Sequence, residues 1–151
     1  MRGALAVALA LAVAVGACGD DTKKKNSYVE KVNQAQSNFV AVVDDSQSRI
    51  QGGNASNAET ATQLDMIRAA AAKVVVQLRA IKPPDNVKTL HGTLVKEAQG
   101  LVAAFAKAAD AYRSQDPAQI LTAKVDLSKD IDRVNGQLNA TIQQLNSKLH
   151  G

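Results

Sequence analysis

From residue 27 onward, apolar residues recur at steps of three and four, the period of one helix face, and no stretch sustains the alternation of a half-buried strand. The pattern predicts four helices. The first opens on the capping box Ser27-Tyr28-Val29-Glu30, and its inward positions are Val29, Val32, Gln36, Phe39, Val43, Ser46 and Ile50, with Gln36 and Ser46 diluting the face. Gly52, Gly53 and Asn54 end it. A second capping box, Ser56 to Glu59, starts a helix whose inward positions are Leu64, Ile67, Ala71, Val74, Leu78 and Ile81, and Pro83-Pro84 stops it. With Asp85 as N-cap, a third stripe follows through Val87, Leu90, Leu94, Ala98, Leu101, Phe105, Ala108 and Tyr112. Glu97 stands where a strict heptad wants an apolar residue, so the stripe slides to Ala98 and globular-bundle packing is expected. The fourth and longest helix begins with Asp116 as N-cap and Pro117 in the first turn. Its face runs Ile120, Lys124, Leu127, Ile131, Val134, Leu138, Thr141, Ile142, Leu145 and Leu149, and Gly136 is its weak point.

Four amphipathic helices joined by short turns bury their stripes best as an all-α, up-down-up-down four-helix bundle, expected over residues 27–151. The segment before it has a different character. Residues 4–15 form twelve uninterrupted apolar positions behind Arg2, the length of a signal-peptide core and short of the ~20 residues that span a bilayer. Residues 18–26 hold the single cysteine and a polar run without apolar period, expected as a flexible tether.

The junction Val15-Gly16-Ala17-Cys18 resembles the lipobox of bacterial lipoproteins. That resemblance implies a signal peptide of residues 1–17, cleavage before Cys18, and a diacylglycerol on the Cys18 sulfur. It also implies a protein held by lipid on the extracytoplasmic face of the cell membrane. Two or three acyl chains, at ~0.8 kcal/mol per buried methylene, give stable attachment where one would exchange. Residues 81–95 and 116–120 are similar to segments of small helical lipoproteins of high-GC Gram-positive bacteria, a likeness that brings no activity with it. An anchor at Cys18 would send the first helix away from the membrane. Pro83-Pro84 and the carboxyl end then return toward it, and Gly52, Gly53, Asn54, Gln115 and Asp116 become partner-facing loops at the far end.

Composition narrows the function classes. Residues are 46% hydrophobic but 3% aromatic, with alanine prominent and no Trp, which argues against a deep small-molecule pocket walled by bulky side chains. The net charge is +4, with basic residues scattered among acids apart from Lys23, Lys24 and Lys25. No basic stripe is interleaved with aromatics, so nucleic acid is not an expected partner. One cysteine cannot form an internal disulfide, so the fold must rest on packing.

Candidate chemistry is sparse. His91 and His150 are the only histidines, and the residues one turn from His91 are Val87, Lys88, Leu94 and Val95, none of them a metal ligand. His91 reads as a boundary histidine bonded across the bundle. Met66 and His91 would differ by about 13 Å in height, too far to share one haem iron. Asp130 and Asp132 begin a calcium-loop spacing that fails at Val134, Asn135 and Thr141. Asp44 and Asp45 point to different helix faces, and no Gly-x-Ser-x-Gly elbow or phosphate-binding glycine loop occurs. No catalytic residue, metal site or cofactor is therefore expected. The expected function is a non-enzymatic interaction or envelope-structural module, with an envelope protein or wall polymer as partner. The rival is a small-ligand or metal-binding bundle using Gln36, Ser46, His91, Asn135 and Thr141 as polar core-edge groups.

Overall fold

The computed structural model describes residues 20–52 and 55–150; Val15, Gly16, Ala17, Cys18, Gly53 and Asn54 lie outside the described residues, as do the side chains of Asp20, Asp21 and His150. It is an all-helical bundle, with no strand among the described residues. Helix α1 spans Asp20–Gln51, α2 Asn57–Ala80, α3 Lys88–Ser114 and α4 Pro117–His150, and a 3-10 turn at Asp85–Val87 precedes α3. Among the described residues, none of these helices is long and apolar enough to cross a membrane.

The start of α1 differs from the sequence expectation. Within the described residues the chain is already helical at Asp20, seven residues before Ser27, and the helix runs through Lys23, Lys24 and Lys25, the stretch expected as a flexible tether. Lysine is a good helix former, so the run Lys23 to Lys25 extends the helix readily. Tyr28 and Val29, both buried, fix the next turn against the core. Ser27 therefore lies inside the helix rather than at its cap.

The second capping box forms as expected. Ser56 Oγ accepts from the Glu59 amide at 3.2 Å, and the Glu59 carboxylate accepts from the Ser56 amide at 2.7 Å. Asp85 does not cap α3: the N-cap is Val87, without a side-chain bond, while the Asp85 carboxylate pairs with Lys88 at 2.6 Å. The Pro83-Pro84 pair holds the chain extended up to this point, and the turn enters α3 through a 3-10 segment instead. Asp116 does cap α4, its carboxylate accepting from the Ala118 amide at 2.8 Å.

Successive helices pack on one another, α1 on α2, α2 on α3 and α3 on α4, and the 3-10 turn touches α3 and α4. Val32, Phe39 and Val43 from α1 share the core with Leu64, Ile67 and Leu78 from α2, Leu94, Leu101 and Phe105 from α3, and Val134, Leu138 and Leu145 from α4. Burying each such side chain stabilises the fold by about 1.5–3 kcal/mol, so Ile67→Ala, which also leaves a cavity, costs about 2–5 kcal/mol. Three inward assignments shift, the first being Ala35, which is buried where Gln36 is only partly so. Val75 is buried where Val74 is only partly so, and Ala123 faces inward where Lys124 was expected. Lys124 is exposed, with its ammonium 5.8 Å from the Tyr112 ring centre. Stepping the stripe back one residue lets the ammonium stay in water while it meets the ring face.

Candidate functional site

Two arrangements stand out, and both gather at the end of the bundle where α1 begins. The first is buried. Tyr28 of α1 is 1% exposed and His91 of α3 is 7% exposed, and their rings meet edge to face at 5.6 Å between centres. The Tyr28 hydroxyl lies 3.2 Å from His91 Nδ1, and His91 Nε2 lies 3.0 Å from the Leu78 carbonyl of α2. A carbonyl only accepts, so Nε2–H donates to Leu78, Nδ1 keeps its lone pair, and the Tyr28 O–H donates to it. Both ring nitrogens are thereby engaged, and three helices are tied at one point.

Burial sets the protonation of this group. It lowers the His91 pKa, against a smaller opposing effect of the Leu78 carbonyl, and it pushes the Tyr28 hydroxyl up to about 12. Burial thus favours the neutral form of both side chains. The sequence reading of His91 as a bonded boundary histidine holds, but its partner was not foreseen. Tyr28 is one of only two tyrosines and neighbours the expected core residue Val29, and that adjacency is the signal that could have found it.

The second arrangement is a pair of adjoining lysine-lined clefts. One, of about 730 Å³, is bordered by Lys24, Lys25, Lys82, Pro83, Pro84, Asp85, Asn86 and Lys88. The other, of about 330 Å³, is bordered by Lys23, Lys24, Ser27, Tyr28, Lys31, Ile81 and Lys82. Asn86 also donates to the Lys148 carbonyl at 2.7 Å, which brings the last turn of α4 to the same end. The Asp85 carboxyl is held below its usual range, first by its bond and charge contact with Lys88 and also by Lys82 and Lys24.

The polar residues named for a ligand-binding core do not converge. Ser46 is fully buried with no hydrogen-bond partner for its hydroxyl, and it lies 18 residues along α1 from Tyr28, about 27 Å at 1.5 Å per residue. Thr141 donates to Glu97 at 2.9 Å, Asn135 leaves its side-chain oxygen unpartnered, and Gln36 is half-buried on α1. Burial raises the Glu97 pKa, with the Thr141 hydrogen bond opposing it. Among the described residues, no group of three or more His, Cys, Asp or Glu side chains is placed to hold a metal ion.

Of the candidate partner-facing loops, Gly52 turns the chain with its amide on the Ser48 carbonyl at 3.0 Å. Gln115 adopts the left-handed region at φ 58°, and Asp116 is committed to capping, which lowers its pKa. Just beyond them on α4, Leu121 is 66% and Val125 46% exposed, one turn apart on the same face. No family model matches the chain, and neither does any curated protein or solved structure.

Proposed function

We propose that this chain is a membrane-anchored extracytoplasmic lipoprotein that acts without catalysis, presenting a helical body to another component of the cell envelope. The observation that carries the reading is Val15-Gly16-Ala17-Cys18, whose Val15 is the last of twelve consecutive apolar residues. Helix α1 is already formed at Asp20, and in this reading it carries the body away from the anchor. In this reading the lipid supplies retention and the bundle supplies reach.

The body is read as an up-down-up-down bundle. Cross-helix contacts support this, because partner numbers fall as residue numbers rise: Leu78 meets His91 and Asp65 meets Arg113 between α2 and α3, while Glu97 meets Thr141 and Lys107 meets Asp126 between α3 and α4. With Cys18 in the membrane, the 32-residue α1 carries the Gly52 and Gln115–Asp116 turns about 48 Å outward. Exposed Leu121 and Val125 beside the second turn offer an apolar contact to a protein or wall polymer.

Metabolic labelling with palmitate tests the anchor: the wild type should carry label and sediment with membranes, and Cys18→Ala should do neither. Unchanged labelling and fractionation in that variant would remove the basis of the proposal. Cross-linking in intact cells tests the interaction role, which fails if the mature protein contacts no envelope component above background.

A further inference from the structure

The run Lys23-Lys24-Lys25 accounts for only half of the positive charge gathered at the amino-terminal end of the bundle. The fold adds Lys31 from the next turns of α1, Lys82 from the connection after α2 and Lys88 from the start of α3, so six lysines from α1, that connection and α3 border the two clefts. One bordering residue, Asp85, is acidic, and it is engaged with Lys88. Counting Asp20 and Asp21 at the head of α1 against them still leaves a positive excess.

We infer that these clefts seat the phosphate headgroups of anionic lipids, so that the bundle stands end-on against the membrane that holds it. The inference rests on the anchoring reading, which supplies the nearness: from Asp20 to Lys25 the helix rises about 7.5 Å, within the ~8 Å Debye length of physiological salt. The chemistry fits a phosphodiester. Lysine ammonium groups are compact point charges that bind phosphate without demanding one geometry. Asn86 keeps its amide on the Lys148 carbonyl and so fixes the cleft wall rather than the ligand. Pro83 and Pro84 give that wall a rigid, apolar surface suited to the glycerol region below a headgroup. A lipid surface is favoured over a soluble phosphate because the clefts are open and adjoin each other, and each lysine near an anionic surface strengthens association about fivefold.

The test uses the full lipidated chain in vesicles of phosphatidylcholine alone or of phosphatidylcholine with phosphatidylglycerol. Amine acylation read by mass spectrometry reports each lysine. Lys82 and Lys88, distant in sequence from the anchor, should be protected about fivefold or more in the anionic vesicles relative to the neutral ones, and high salt should abolish the difference. In a Lys82→Gln, Lys88→Gln variant, Lys31 should lose most of its headgroup-dependent protection while circular dichroism stays unchanged. Equal labelling in both vesicle types overturns the inference, as does equal protection by inorganic phosphate added to neutral vesicles. Flotation with the neutral vesicles separately reports the anchor: a chain that floats there yet shows no headgroup dependence retains its lipid and refutes only the seat.

Discussion

The contact of Tyr28 with His91 makes a quantitative prediction about stability. In Tyr28→Phe the ring and its edge-to-face contact remain, but His91 Nδ1 becomes a buried acceptor without a donor. In His91→Leu the volume is nearly kept, and the Leu78 carbonyl still accepts from the Ile81 amide at 3.0 Å, so the group left stranded is the Tyr28 hydroxyl. Each single change therefore strands one buried polar atom, costing about 1–3 kcal/mol. At about 2 kcal/mol, a bundle of this size loses roughly 6–8 °C in Tm. The double variant strands neither atom and should cost no more than either single one, a coupling of about 1–2 kcal/mol. Urea unfolding followed by circular dichroism measures all four proteins. The pH dependence adds a sign. The folded His91 pKa lies below its unfolded value, so its contribution is fully present above about pH 6.5 and is lost as pH falls toward the folded value. That acid sensitivity should disappear in His91→Leu. Single-variant costs that add within about 0.5 kcal/mol in the double variant would refute the hydrogen bond as an energetic unit.

Three further outcomes follow from other positions. Ser46→Ala removes a fully buried hydroxyl without a partner and should raise stability by about 1 kcal/mol, seen as a higher urea midpoint at unchanged slope. Gly136 sits in the interior of α4, where an added Cβ meets no neighbour within 4 Å, so Gly136→Ala should stabilise by about 0.5–1 kcal/mol in the same assay. The Tyr28 hydroxyl, pushed up to about 12, stays protonated when the unfolded chain ionises near pH 10, so its contribution is whole below pH 10 and fades between there and pH 12. Thermal unfolding of wild type against Tyr28→Phe should show about 2 kcal/mol more alkaline loss in the wild type.

Helix number and most inward positions could be read from the three-and-four spacing, because that spacing reports burial on one face whatever the partner. Helix starts could not always be read. Ser27 and Ser56 present the same Ser-x-x-Glu pattern, yet only Ser56 caps a helix. A serine caps where the preceding chain leaves the helix. Ser56 follows Ala55, which lies outside any helix, whereas Ser27 follows lysines that extend the helix readily. The same limit hid the lysine-lined clefts. Lys23 to Lys25 are adjacent in sequence, but Lys82 and Lys88 join them only because the Pro83-Pro84 turn returns to the start of α1. Likewise His91 showed its boundary position through spacing, while its partner lies 63 residues away and could be found only by folding the chain.

The tie among Tyr28, His91 and Leu78 also determines how the molecule carries force. A pull on the amino-terminal end of α1 travels along the helix axis and meets Tyr28 about two turns after Asp20. There the load divides through the His91 ring into α3 and, at the far side of that ring, into the backbone of α2. Tension entering along α1 is thus shared with α3 and α2 at Tyr28, and the length of α1 beyond it no longer carries the load alone.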